Sequence, residues 1–587
     1  MGGRTLQAAR GQRVWALLVS TTFASLAHAG VEVDLNGLED DEIRGAVRAA
    51  LTLTHYRKRD VTQARARYLY AQATEEIERA LEPFGFYEPR IEGRFETLEA
   101  GEYRVTFAVK PGPGVVVTRR SLELPEEVRK LPPVEAAIEE FEPARGERLE
   151  HQLYERSKQR VTTALRAAGY LDAETNVHRV AVDTTQRSAE IDLAWELGPR
   201  YRLGPVDFSD SQFSERFLAG YVPWKAKDYY STESLLTLQQ RLSQTGYFQT
   251  VAVEPVLDKR ADGVVPVQVV LTPNERNVYR AGVYYSTDYG VGGRLGYERR
   301  WLNRRGHTLD TSVEYSRRLQ DGSVTYEIPR PSPEDKRYTF GVGYRDETSD
   351  TARSRSLRIA AAESRKEWKG FARTLGVHYL DGDFEVGGER GSSALLFFEG
   401  TLGRKHFDDL SFPREGYSID YGLRLAPESG LTDTSLAQAW VQHKRLLRQG
   451  DHSRIILRAR LGAMAVGDFD ELPPELRFFA GGDRSIRGFD YQAIGELNEQ
   501  GKVVGGEYLV IAGAEYEYYL PKRENWGAAV FTDAGDAFTD EFRENVSVGV
   551  GLRWRSPIGM VRVDVATPVV SRFDDGVRLH ITIGPDL

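Results

Sequence analysis

The stretch Phe478-Phe479-Ala480-Gly481-Gly482-Asp483-Arg484-Ser485-Ile486-Arg487-Gly488-Phe489-Asp490 sets arginines among glycines, and strand-like segments with inward acids follow it. Glycines let a backbone turn through positive φ or approach a wall closely. Arg487 carries a permanent charge on a planar fork suited to a carboxylate. From Glu507 to Tyr519, alternation puts Glu507, Glu515 and Glu517 on one face and Tyr508, Val510, Ala512, Ala514, Tyr516 and Tyr518 on the other. From Ala528 to Gly535, Phe531 and Asp533 share a face opposite Val530 and Thr532. If the apolar faces meet lipid, Glu515 and Asp533 point inward, where a tucked-in loop brings Arg487. The expected chemistry is a lock: Arg487 paired with both carboxylates, Phe489 beside Phe531, and Gly488 admitting the turn.

Reaction chemistry has no comparable signal. No nucleophile elbow, zincin helix or phosphate-cradling Gly-Lys-Ser/Thr loop occurs. Gly549-Val550-Gly551 begins a dinucleotide fingerprint, but Trp554 stands where its third glycine belongs. Asp451-His452-Ser453 has triad residue types, yet strand neighbours point to opposite faces. The 10 histidines lack metal-ligand spacing, and with no cysteine there is no disulfide framework or thiolate site. The chain reads as a non-enzyme without cofactor or metal, and its net charge of −9 argues against a nucleic-acid binder.

The elements that must position the lock are strands. From about residue 276 onward apolar and polar residues alternate: Leu309, Thr311, Val313 and Tyr315 against Asp310, Ser312, Glu314 and Ser316, and Tyr417, Ile419, Tyr421, Leu423 and Leu425 against Ser418, Asp420, Gly422 and Arg424. Ile455, Leu457, Ala459 and Leu461, then Val548, Val550, Leu552 and Trp554, continue the pattern. One apolar and one charged face, repeated this often, predicts an antiparallel transmembrane β-barrel with lipid outside and water inside. Lipid also demands closure of the sheet. Roughly 310 residues at about 20 per strand and connection give on the order of 16 strands.

Ahead of the barrel, helix–Gly–aromatic–strand recurs at Gly85-Phe86, Gly169-Tyr170 and Gly246-Tyr247, a period of roughly 80 residues. Each copy pairs an amphipathic helix, as with Leu235, Leu238 and Leu242, with an alternating strand, as with Tyr103, Val105, Phe107 and Val109. Three small α+β units are expected over 30–113, 114–200 and 201–275, with the barrel over 276–587. Residues 1–29 read as a secretory signal peptide: Arg4, Arg10 and Arg13, the apolar run Val14 to Val19, and Ala27-His28-Ala29 for cleavage.

Gly481-Gly482-Asp483-Arg484-Ser485-Ile486-Arg487-Gly488-Phe489 resembles the sixth-loop signature of the outer-membrane assembly factors, the superfamily of BamA and TamA. Gly513-Ala514-Glu515-Tyr516 and Phe531-Thr532-Asp533-Ala534-Gly535 resemble the strands that receive that loop, and the long Gly-Asp-Arg-Ser lead-in is most similar to the TamA branch. The resemblance implies that the three α+β units are POTRA domains in the periplasm and that the sixteen-stranded barrel lies in the bacterial outer membrane. It implies insertion and folding of unfolded β-barrel or autotransporter clients, a TamB-like inner-membrane-anchored partner, contact with outer-membrane lipids, and a role in lipid transport for that pair. It also implies a weak lateral seam between the first strand, with Tyr279, Ala281, Val283 and Tyr285 outward, and the last, Val577 to Gly584, with Leu579 and Ile581. Gly584-Pro585 at the end of that strand would shorten the pairing. A two-partner-secretion transporter or passive pore is the alternative, and such transporters usually carry two POTRA units. A third reading makes the periplasmic half a peptide-binding module anchored by the barrel.

Overall fold

The computed structural model describes residues 30–98, 102–208, 211–332, 335–409, 411–557, 559–573 and 576–584; the expected signal peptide lies outside them. The chain divides into two compact units, residues 1–202 with 229–232, and residues 203–228 with 233–587.

The first unit holds two α+β domains with separate cores. Its first helix, Asp41–Ala50, starts at Asp40, whose side chain accepts the backbone N–H groups of Glu42 and Ile43, the usual N-cap arrangement. Ile43 and Val47 from that helix, and Leu69, Ala73 and Ile77 from the helix Gln63–Leu81, bury against Val105, Phe107 and Val109 of the strand Tyr103–Lys110. That strand is the middle of three, parallel to Val31–Asn36 and antiparallel to Arg90–Thr97. The second domain repeats the plan around Ser188–Glu196, with helix His151–Ala167 packed on it.

The third three-stranded sheet has the same strand order, with Val264–Pro273 central. The repeated glycines each follow a helix and stand at positive φ, +81° at Gly85, +104° at Gly169 and +76° at Gly246. These are left-handed positions where a helix ends and the chain turns into a strand.

Sixteen antiparallel strands close into a barrel, each hydrogen-bonded to the next in sequence, from Asn277–Ser286 round to Arg578–Gly584. The apolar positions of the alternation are exposed outward, among them Val313, Tyr421, Leu423, Leu461, Val550 and Leu552. Among the described residues no helix is long and apolar enough to cross a membrane. Strand length varies round the wall, with the longest, Glu389–Phe407, at 19 residues and the last at 7. Within the second unit the third α+β domain is tied to the turn after the second barrel strand, Gly290–Arg299. Ser214 donates its N–H to the Arg304 carbonyl at 3.0 Å, the Tyr247 hydroxyl donates to the Gly306 carbonyl at 2.6 Å, and Phe213 meets Trp301 edge-on.

The lumen departs from the water-filled interior expected from alternation. The connection 467–507 between the strands Ser453–Val466 and Tyr508–Leu520 folds inward. Its Leu472, Leu476, Ile486, Phe489 and Ile494 form one buried cluster with Leu380, Leu395, Phe397, Leu509 and Ile511 from the wall. Leu509 and Ile511 stand on the same face as Glu515, so that face is apolar where it meets the loop and charged beyond it.

Candidate functional site: the loop lock and the barrel seam

Arg487, 2% exposed, grips Asp533 with two nitrogens, Nε to Oδ2 at 2.7 Å and Nη2 to Oδ1 at 3.1 Å. Its Nη1 donates to Glu515 Oε2 at 2.7 Å and to Asp564 Oδ2 at 3.3 Å. The expected pairing with Glu515 and Asp533 is therefore present, and Asp564 is an addition. Burial disfavours the guanidinium charge, but the Asp533 and Glu515 carboxylates outweigh it and hold the group above its ordinary range.

Three further arginines complete the arrangement. Arg553 reaches Glu515 at 2.6 Å, Glu517 at 2.8 Å and Asp564 at 2.5 Å. Arg454 pairs with Glu517 at 2.6 Å, and Arg458 with Asp533 at 3.0 Å. Each of the four carboxylates thus touches two arginines. Buried charges are tolerable when paired and hydrogen-bonded, and only Arg487 among these eight groups comes from the loop. Withdrawing the loop would leave Glu515, Asp533 and Asp564 short of one cation.

One expectation is corrected here. Phe489 does not pair with Phe531; its ring meets Phe573 edge-on at 6.4 Å within the apolar cluster. The Phe531 ring is instead covered by the Arg487 guanidinium, 3.4 Å from its centre, a cation–π contact. Gly488 lies in the turn that the Phe489 N–H closes on the Ile486 carbonyl, as expected, while the left-handed positions fall to Gly481 and Gly482 at φ +99° and +101°. A Cβ on Gly488 would lie 2.4 Å from the Ser547 Cβ. Gly549 and Gly551, half of an incomplete fingerprint in sequence, clear space on the wall: a Cβ at either would strike Phe531 or Asp564.

The loop also holds the closing strands. Asp483 Oδ1 accepts the Thr287 hydroxyl at 2.7 Å and faces His580 Nδ1 at 2.5 Å, while His580 Nε2 meets the Arg487 carbonyl at 2.5 Å. The Asp483 N–H donates to Asp288 Oδ2 at 3.1 Å, and Asp490 pairs with Arg578 at 3.0 Å. Thr287 and Asp288 lie in the turn after the first strand, and Arg578 and His580 in the last.

The seam itself is short. First and second strands pair over their whole length, from Asn277 opposite Arg299 to Ser286 opposite Gly290. Among the described residues, first and last strands pair only at Ser286 and Thr582. Continuing that register toward Asn277 runs past Gly584, so Tyr279, Ala281 and Val283 do not lie opposite Leu579 and Ile581. Among the described residues they have no strand partner on that side, and Tyr279 is 77% and Val283 86% exposed. Leu579 and Ile581 sit further along, paired on their other side with Val565 and Val563.

Three family models match the chain: an Omp85 superfamily domain over 277–585, a POTRA domain described as TamA domain 1 over 32–111, and a POTRA model described as a surface antigen variable number repeat over 201–275. Among curated proteins, the outer membrane protein assembly factor BamA of Neorickettsia risticii is 22% identical over 67% of this chain and 56% of its own length. BamA of Nitratidesulfovibrio vulgaris is 23% identical over 58% of this chain and 45% of its own. The chain thus spans about half the length of these relatives. The crystal structure of BamA from Haemophilus ducreyi lacking POTRA domains 1–3 superposes with a TM-score of 0.68 at 17% identity, over 80% of this chain and 99% of that one.

Proposed function

The chain belongs to the Omp85 superfamily, and from that premise we propose that it is a bacterial outer-membrane assembly factor with periplasmic POTRA domains. It helps unfolded β-barrel or autotransporter clients insert and fold by opening sideways at its seam, without covalent chemistry. The observation that carries this reading is the seam: among the described residues one register pair joins the first and last strands, and the first strand from Asn277 to Tyr285 has no strand partner on that edge. A strand edge with unpaired N–H and C=O groups templates an incoming strand by β-augmentation. The loop lock, Arg487 with Glu515, Asp533 and Asp564, holds the wall beside the seam in place.

Three α+β units favour this over a two-partner-secretion transporter. The match of residues 32–111 to the POTRA model described as TamA domain 1 supports a place in the TamA branch. We extend the proposal accordingly to a TamB-like inner-membrane-anchored partner on the POTRA domains and to traffic of lipids toward the outer membrane.

The register fixes the test. Because the protein has no cysteine, Ser286→Cys with Thr582→Cys places a lone pair of thiols on facing residues, at a separation a disulfide spans. Oxidation is expected to abolish client assembly and reductant to restore it. Full activity in the oxidised form would remove lateral opening from the account.

A further inference from the structure

We propose that Asp288, Asp483 and His580 form a divalent-cation site that fastens the loop to both sides of the seam, with zinc(II) the cation its donors fit. The three come from separate parts of the chain: Asp288 from the turn after the first strand, Asp483 from the inward loop, His580 from the last strand. One donor atom from each lies within 4.8 Å of the others. All three are shielded, with Asp288 8% and His580 5% exposed, and the Asp483 side chain is 6% exposed. One imidazole nitrogen and two carboxylate oxygens, with a position left for water, is a donor set zinc accepts.

The outer contacts point the same way. A ligating histidine typically gives its second ring N–H to a carbonyl, which fixes the tautomer. His580 Nε2 lies 2.5 Å from the Arg487 carbonyl, which can only accept, so Nε2 bears the proton and Nδ1 is the atom turned to the two carboxylates. Thr287 holds the Asp483 carboxylate through its hydroxyl at 2.7 Å. Gly482, at φ +101°, leaves the space Asp288 needs, since a Cβ there would lie 2.9 Å from its Oδ2. Nδ1 and Asp483 Oδ1, 2.5 Å apart, share a proton; cation binding displaces it and puts the metal between the groups. The ligands are 195 and 97 residues apart, from Asp288 to Asp483 and from Asp483 to His580, so spacing along the chain gives no hint of them.

Binding is a claim about these residues alone; its effect on the seam rests on the lateral-opening reading. The test is calorimetric titration of zinc(II) into the chelator-treated, refolded full chain, with X-ray absorption at the zinc edge. One site per chain with a single imidazole in the first shell is expected. Asp288→Asn, Asp483→Asn and His580→Ala should each weaken binding at least tenfold, while the exposed control His55→Ala leaves it unchanged. Heat-modifiable gel migration checks that each variant barrel is folded, and Asp288→Asn keeps the shape of the site if the others do not fold. No zinc bound by the wild type, or wild-type affinity in all folded site variants, overturns the site. In a second arm, zinc should slow hydrogen exchange at residues 284–290 and 578–584 in the wild type and not in His580→Ala. Binding with the expected variant pattern but unchanged exchange overturns the fastening. Activity in the oxidised Ser286→Cys/Thr582→Cys protein would instead count against lateral opening and leave the metal site standing.

Discussion

A guanidinium removed from water loses several kcal/mol of solvation that only close partners restore, and Arg487 has three carboxylates within 3.3 Å. Arg487→Ala leaves Asp533 to Arg458, and Glu515 and Asp564 to Arg553. Breaking one member of such a network typically costs about 3–5 kcal/mol. The expected outcome is a loosened loop, cleaved sooner by protease, in a barrel that remains inserted. Arg487→Lys should not restore protection, because an ammonium cannot fork across Asp533 while reaching Glu515. In a double-mutant cycle, Arg487→Ala and Asp533→Ala should couple by more than about 0.5 kcal/mol; additive losses would mean that the pair contributes nothing to holding the loop. Arg487, Glu515 and Asp533 were legible because glycines isolate the first and alternation turns the others inward. Asp564 and Arg553 also turn inward, but nothing in one strand reveals which charge a neighbouring strand sets beside it. Phe489 was assigned to the wrong ring because a cation–π contact and an aromatic pair draw on the same residue types.

At the scale of elements, the strands followed from alternation, and the helix ends from the glycines after them. Shear did not: a register is a relation between two strands, and the residues of the first and last say only which face each presents. Hence alternation marks Tyr279, Ala281 and Val283 as outward, while the register that sets Ser286 against Thr582 has no trace in either strand. The inward loop is equally relational, since Leu509 and Ile511 look like luminal exceptions until the loop covers them. At Gly488 the loop leaves no room for a side chain against Ser547. Gly488→Ala should therefore lift the loop, at about 1–3 kcal/mol for an overpacked contact, seen as faster loop proteolysis. Ser547→Gly in the same chain removes the struck atom and should recover most of that protection; no recovery would show that the close approach is not what seats the loop.

For the whole molecule, tandem α+β units followed by a closed barrel could be read from the repeat and from the change of texture near residue 276. The join between the third unit and the barrel could not, because Phe213, Tyr247 and Trp301 each look like ordinary core residues in their own segments. A fragment of residues 276–587 is expected to insert and show heat-modifiable migration, but with the turn 300–307 open to protease. A fragment starting at residue 203 should protect it. Equal protection in both would show that the third unit does not brace the barrel.

The contacts at Asp483 carry a consequence for the order of events when the protein itself is made. Thr287 lies 196 residues from Asp483 and 293 from His580, so these are among the last parts of the chain able to find one another, given that distant contacts form late. Among the described residues the last strand joins the first through one register pair, so the barrel gains little by closing with the loop outside. It would also bury the Glu515, Asp533 and Asp564 charges without Arg487. Closure and loop seating thus become one step, and a chain that has not drawn in its sixth loop has no stable circle to close.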